Sequence, residues 1–258
     1  MRLVDSHVHL QADRFHPDLA DVISGARAKG VERFLIPGWD VATSQASVAL
    51  AAQPDLDAAV GIHPHVASQA TAEDWARIRE LAADPRVRAI GETGLDYDRN
   101  FSGRELQLVN LRRHLALGAE LAKPVILHCR SAPGARDAQD DLLRELEAAG
   151  GPRALLHSFS GPVDYGERAL ELGLAISFSG LVFRRGEEAS AELARLVPRD
   201  RLLVETDSPW LSPPGASRRR NEPQWVTVTA QWLADARQED PETLGEGLVG
   251  AYDALFAG

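Results

Sequence analysis

Residues 2–7 read RLVDSH, and His9 follows two positions later. A short apolar run that ends in an aspartate and histidines reads as a buried strand leading into polar chemistry. On its own a pair of histidines is ordinary surface, so the meaning of this stretch depends on what accompanies it. Seven further runs of the same kind follow, at 32–37 (ERFLIP), 58–63 (AAVGIH), 87–92 (VRAIGE), 124–129 (PVILHC), 153–158 (RALLHS), 174–179 (LAISFS) and 201–206 (RLLVET).

Helical patterns lie between these runs. Segment 102–122 begins with Ser102 and Glu105, a capping-box signature, and continues with Leu108, Leu111, Leu115 and Ala119 at helical spacing. Thr71 with Asp74 marks another helix start, and Asp240-Pro241 sets a cap residue before a proline at the first helical position. Strands alternating with helices give βα units and a parallel sheet. Eight such units in 258 residues predict an α/β chain folded as a (β/α)8 TIM barrel, with helices after the last strand. A doubly wound open sheet is the alternative. No Gly- or Ser-rich linker interrupts the chain, so a single domain spanning 1–258 is expected.

The composition, 44% hydrophobic and 26% charged, is that of a folded protein able to bury a full core. No stretch of eighteen apolar residues occurs, and the N-terminus lacks a basic region followed by an apolar run; neither a membrane span nor a secretory signal is expected. The one cysteine, Cys129, excludes an internal disulfide and suits a cytoplasmic location. A formal net charge of −10 argues against coating nucleic acid by bulk electrostatics, but not against a local site where metal ions hold phosphate. The cations are nearly all arginine, with only Lys29 and Lys123 as lysines.

In a parallel barrel the chemistry collects where strands end at their C-terminal edge. Run one ends in Asp5, His7 and His9, and run three in His63 and His65. Run four ends in Glu92, followed by Asp96; run five in His128 and Arg130; run six in His157; run eight in Glu205 and Asp207. Members of each group are spaced by two or four, so on a strand they point the same way. Of the eight histidines six fall at these ends, and only His16 and His114 do not. His114 sits inside a helical pattern and reads as a surface or packing residue. Imidazoles and carboxylates without a thiolate cluster favour Zn²⁺, Mn²⁺ or Mg²⁺. Four histidines and two carboxylates suffice for two ions if one carboxylate bridges them, and such a pair can activate water and brace a displacement at phosphorus.

The ordered pieces DSHVHL at 5, GIHPH at 61, IGETGLDY at 90, PVILHCR at 124, LLHSFSG at 155, ISFSG at 176, LLVETDSPWLSP at 202 and RRNEP at 219 cover nearly the whole chain. Each is weak alone; together they resemble the TatD-type metal-dependent deoxyribonucleases, a branch of the amidohydrolase-like TIM barrels. The resemblance implies a phosphodiester hydrolase of 3′–5′ exonuclease type on single-stranded DNA, with RNA as a further substrate class, acting through a metal-activated water. It implies that His7, His9 and Asp207 hold one ion, that Glu92 bridges two, and that His128 and His157 complete the second. Asp207 is then the proton acceptor. Asp5, His63, His65 and Glu205 become supporting or substrate-contacting groups, and Arg130 either contacts phosphate or pairs with a carboxylate. Two stretches depart from the family pattern. Gly250 in GAYDALF replaces a usual asparagine, which concerns packing of the last helix, and SAPGARDAQDDLL after Arg130 fits loosely.

Two rivals stand beside this reading. Hydrolysis of a C–N bond in a small substrate, as other amidohydrolases perform it, often uses a carboxylated lysine at the end of strand four; that position is Glu92, and neither lysine is placed to serve. A non-catalytic barrel would be missing ligands, and none is missing. Residues 212–223 form a long polar loop after the last strand, and Arg218, Arg219 and Arg220 on it are candidates for gripping a nucleic-acid backbone or are plain solvated charge. A monomer with nucleic acid as its substrate and no membrane association is expected.

Overall fold

The computed structural model describes residues 1–256. Residues 257 and 258, the end of the expected domain, lie outside the described residues.

The eight expected runs all form strands: β1 Leu3–Asp5, β2 Val31–Pro37, β3 Leu56–Val60, β4 Val87–Asp96, β5 Val125–Arg130, β6 Ala154–Leu156, β7 Ala175–Phe178 and β8 Leu202–Val204. They pair in chain order, each parallel to the next. The seam between β8 and β1 is closed by Ser6, whose N–H donates to the Val204 carbonyl at 3.1 Å. Helices α1 Leu19–Ala28, α2 Val41–Leu50, α3 Ala72–Ala82, α4 Arg104–Leu121, α5 Asp137–Ala148, α6 Val163–Glu171 and α7 Ala189–Leu196 lie between the strands, and α8 Val226–Arg237 and α9 Pro241–Phe256 follow β8. The fold is thus a TIM barrel with C-terminal helices. No helix of the described residues is long and apolar enough to cross a membrane.

Strands covered on both faces are apolar nearly throughout, because every second side chain enters the bore and the others meet the helices. One residue from each strand forms a layer across the bore: Val4, Leu35, Ala59, Ala89, Ile126, Leu155, Ala175 and Leu203. Small and large side chains alternate irregularly around the layer, which lets them interdigitate. Val249, Ala251, Tyr252 and Phe256 of α9 join the same cluster and plug the N-terminal end. The opposite end is therefore the open one. The residue two beyond the layer is His128 on β5, His157 after β6, Ser177 on β7 and Glu205 after β8, so alternation carries these four to the mouth.

Alternation fails at β1 and β4, and both failures correct the sequence reading. Val4 is the bore residue of β1, so Asp5 turns outward. Its buried carboxylate accepts from Thr206 N at 2.9 Å and from Thr206 Oγ1 at 2.6 Å. His7 and His9 reach the mouth because the strand stops at Asp5 and the chain turns there, not because they share a strand face. Strand β4 does not end at Glu92 but continues to Asp96, with its register against β5 shifting between Ile90 and Thr93. Such an irregularity re-aims side chains, and it swings Glu92 inward. Gly91 makes this possible: its φ is 136°, and a Cβ there would stand 2.8 Å from the Ile126 carbonyl oxygen.

Two of the three expected helix starts form as read. Thr71 and Asp74 make a reciprocal capping box on α3, and Asp240 accepts from Thr243 N at 2.9 Å ahead of α9. Ser102 is not the cap of α4; Gly103 is. The Ser102 hydroxyl instead accepts from Ser68 N at 3.0 Å and donates to the His65 carbonyl at 3.0 Å, tying the loop after β3 to the one after β4.

His114 on α4 is a packing residue and fully buried. Its Nε2 accepts from Ile62 N at 2.9 Å and its Nδ1 donates to the Asn110 carbonyl at 2.8 Å, which fixes a neutral tautomer. Burial lowers its pKa from 6.5 to about 4. A histidine depressed in the folded state supplies stability that is complete above pH 6.5 and is lost as pH falls toward 4. The loss reaches roughly 3 kcal/mol. Denaturant titrations of metal-free protein at pH 7.5 and 4.5 are expected to show a smaller pH difference in His114→Gln than in the unaltered chain; equal differences would remove His114 from the account.

Candidate metal centre

Glu92 occupies the middle of the barrel mouth and is 4% exposed. Its two oxygens face different partners. Oε2 lies 3.3 Å from His7 Nε2 and 3.9 Å from His9 Nε2. Oε1 lies 2.9 Å from His157 Nε2, 3.2 Å from His128 Nδ1 and 3.2 Å from His63 Nε2. Asp207 Oδ1 closes the first group, 3.4 Å from His9 Nε2 and 3.7 Å from His7 Nε2. The His7 and His157 rings stack with centroids 3.9 Å apart, so the two groups are contiguous. The six residues His7, His9, Glu92, His128, His157 and Asp207, drawn from five separate strand ends, thus share one small volume. They fall into two donor sets, His7–His9–Asp207 and Glu92–His128–His157.

The backbone holds this arrangement at the β1–β8 seam. Asp207 takes a left-handed conformation, φ 51°, which aspartate tolerates better than most residues. Its N–H donates to the His7 carbonyl at 2.9 Å, and His9 N donates to Ser208 O at 2.8 Å. These two bonds lock the first donor set together across about two hundred residues of sequence.

Hydrogen-bond partners assign the imidazole tautomers. His9 Nδ1 is 3.2 Å from the Pro37 carbonyl oxygen and carries its proton there. His157 Nδ1 is 3.1 Å from Glu205 Oε1, whose other oxygen accepts from Ser177 Oγ. His128 Nε2 is 3.3 Å from Asp96 Oδ2. In its neutral form each of these three rings turns a bare nitrogen toward the carboxylates, and His7 Nε2 and His9 Nε2 are only 3.1 Å apart. Lone pairs facing carboxylates repel unless a cation lies among them. Nitrogen and oxygen donors, with the far sides of the His9, His128 and His157 rings held by acceptors, fit a divalent metal.

His63 turns its protonated nitrogen toward Glu92. Its Nδ1 accepts from His65 N at 3.1 Å, leaving Nε2–H to donate to Glu92 Oε1. It serves Glu92 as a hydrogen-bond donor. Burial lowers its pKa to about 4 against the pull of Glu92, so the ring is neutral at pH 7.

The carboxylates are held charged. Burial would raise Glu92, but the imidazoles around it, His63 foremost, bring it well below the usual carboxylate range. Burial would likewise raise Asp207, and the hydrogen bond with His9 reverses this. Burial would lower His157, yet Glu92 and Glu205 raise it well above an ordinary histidine. His128 is raised in the same sense, burial being outweighed by Asp96 and Glu92.

The remaining residues singled out by sequence lie in different places. Glu205 backs His157, and Asp5 fastens β1 to Thr206. His65 Nε2 lies 2.6 Å from Asp96 Oδ2, next to His128 but not against Glu92. Arg130 pairs with Asp98 through Nε at 2.8 Å. Arg220 is consumed internally: it bonds Asp18 at 2.7 and 2.8 Å and Glu222 at 2.7 Å. Of the loop arginines, Arg218 and Arg219 alone have no carboxylate partner among the described residues. The sequence reading gave no role to Asp96, which receives both His65 and His128. Its parity with Glu92, four residues on along β4, was the available signal. It also passed over Trp39 and Trp210, whose rings stand edge-on to His9 with centroids 5.3 and 4.9 Å away.

Comparison with known proteins bears on what this mouth does. Residues 4–257 match the family model described as TatD related DNase. A 3′-5′ ssDNA/RNA exonuclease TatD of Erwinia amylovora is 40% identical over 266 residues, covering 98% of this chain and 99% of that protein. A Bacillus subtilis protein named as an uncharacterized metal-dependent hydrolase, YabD, is 36% identical over 242 residues, covering 92% and 91%. Among solved structures, the TatD homolog YJJV of Escherichia coli superposes with a TM-score of 0.91 at 26% identity, covering 100% of this chain and 98% of that one.

Proposed function

The chain belongs to the family of TatD related DNases, and on that premise we propose that it is a divalent-metal-dependent nuclease that shortens single-stranded DNA, and RNA, from the 3′ end. The observation that carries the reading is the division at Glu92, one oxygen facing His7 and His9 and the other facing His128 and His157. A carboxylate so placed suits two ions. In this scheme His7, His9 and Asp207 would hold one with Glu92, and His128 and His157 would hold the other with it. Mg²⁺, Mn²⁺ and Zn²⁺ are the candidate ions, given nitrogen and oxygen donors in mixed proportion. All six donors come from one chain, so a monomer would carry a complete site.

When bound, such ions lower the pKa of water and neutralise charge developing on a phosphoryl group. The protein's own residues do the rest. Asp207 is the more accessible of the two carboxylates, 16% exposed against 5% for Glu92, and so is placed to take the proton from the attacking water. His63 holds the plane of Glu92 through its Nε2–H. Glu205, Asp96 and the Pro37 carbonyl fix His157, His128 and His9, leaving their free nitrogens aimed inward.

Hydrolysis of a C–N bond is less well supported. A bridging carboxylated lysine has no candidate here, since Lys123 Nζ donates to the carbonyls of Ala82 at 2.6 Å and Asp84 at 3.2 Å, away from the mouth. Metal-stripped protein reloaded with Mg²⁺, Mn²⁺ or Zn²⁺ is expected to degrade short DNA and RNA strands. A 5′-labelled strand should shorten stepwise, and a 3′ label should appear at once in mononucleotide. Intact strands under all three ions would overturn the reading.

A further inference from the structure

Five large apolar side chains are exposed among the described residues: Phe101, Leu106, Val109, Leu196 and Trp210. Two of them are aromatic, and both abut a histidine at the barrel mouth. Phe101 stands edge-on to His65 and Trp210 to His9, each with ring centroids 4.9 Å apart. Trp210 is the more firmly built. It is 42% exposed, yet its ring is backed by Trp39 in a T-shaped contact at 6.2 Å, and both indoles bracket His9.

The backbone under Trp210 is tied to the metal centre. Trp210 N donates to the Asp207 carbonyl at 2.9 Å, and Asn221 N donates to Pro209 O at 3.1 Å. An exposed indole held this firmly, three residues from a metal-facing carboxylate, presents a preorganised apolar face. The charge balance says what kind of contact a strand needs. The chain carries a net −10, and Arg220 and Arg130 are occupied by carboxylates, which leaves Arg218 and Arg219 on the last loop and Arg184 and Arg185 after β7 without a carboxylate partner among the described residues. On a chain of net negative charge, uncharged contacts add affinity for a polyanion beyond what the metals and these arginines supply.

We propose that Trp210, backed by Trp39, is the stacking platform for a nucleobase next to the scissile phosphate. The proposal rests on the nuclease reading and names its base-binding subsite. Every base has a π face, so a platform of this kind accepts any sequence. Stacking releases no counterions, so its contribution does not fade with salt as phosphate contacts do.

The test uses metal-loaded enzyme on single strands that carry either four normal bases or an abasic residue at one of the last two 3′ positions. Trp210→Ala is expected to raise KM on the intact strand by roughly 5- to 150-fold, the range seen for loss of one base–aromatic stack. The loss should be the same at low and high salt, and Trp210→Phe should restore most of the affinity. At one of the two positions, removing the base and removing the indole should together cost no more than either alone. An unchanged KM in Trp210→Ala overturns the proposal. So does an equal further loss on every abasic strand, because Trp210 would then only pack His9 in place. If the unaltered enzyme degrades no strand, the nuclease reading itself fails and the platform with it; if it degrades strands without this coupling, the platform alone fails.

Discussion

Glu92→Ala is expected to abolish strand hydrolysis, by more than the roughly 10²–10³-fold that loss of a single electrostatic stabiliser costs. The reason is geometric. Glu92 is the one carboxylate whose two oxygens face the histidines of both donor sets, so its removal should weaken both ion sites together. Metal content should fall with activity. The barrel should remain folded, because the bore layer from Val4 to Leu203 lies beneath Glu92 and does not depend on it. Circular dichroism and metal analysis on the same sample separate loss of the site from loss of the fold. A folded variant with near-normal activity and full metal content would remove Glu92 from the mechanism.

Asp207→Asn should separate proton transfer from metal holding. The amide keeps the shape of the carboxylate and still offers an oxygen to a cation, but it cannot take a proton at neutral pH. Turnover is expected to fall about 10²–10⁴-fold, the usual worth of a general base, while metal content falls little. The pH profile carries a second readout. Burial would raise Asp207 but His9 brings it below the ordinary carboxylate range, so in the unaltered enzyme the base stays available until pH falls below that range. The acidic limb that Asp207 causes should vanish in the variant. Near-normal turnover at neutral pH would show that another group takes the proton; complete loss of metal would show that Asp207 is first a ligand.

The two variants therefore differ in what is lost. Glu92→Ala should lose metal and activity together, and Asp207→Asn activity with most of the metal kept. Their contrast follows from exposure: the Glu92 side chain is closed to solvent, and that of Asp207 is more open to it.

Much of this was legible before any coordinates. Local patterns located all eight strands, because a strand covered on both faces must be a short apolar run. That His7, His9, Glu92, His128, His157 and Asp207 gather at one mouth was legible too, because imidazoles and carboxylates are rarely placed at one edge of one sheet without a use. What local pattern could not give was the direction of each side chain. Simple alternation assigned Asp5, His7 and His9 to one face, whereas β1 stops at Asp5 and its carboxylate staples Thr206. It ended strand four at Glu92, whereas a register shift beside Gly91 re-aims Glu92 and the strand runs on to Asp96. It read Ser102 as a helix cap, but a hydroxyl bonds whatever backbone group is nearest, and the loop after β3 is nearer.

By itself, then, the sequence determined the alternation of elements, the closure into an eight-stranded barrel and the residue types gathered at its mouth, since periodicity and residue chemistry are properties of the chain. Only the tertiary structure decided which nitrogen of His9, His128 and His157 faces inward. Those choices are set by Pro37 O, Asp96 and Glu205, partners that lie 28, 32 and 48 residues away in sequence. It also decided that Arg220 is spent on Asp18, 202 residues distant, and that Trp210 stands exposed beside His9. A partner brought close by folding changes the charge, tautomer or exposure of a side chain without leaving any local mark in the sequence, and the division of the two oxygens of Glu92 between two donor sets arises in this way.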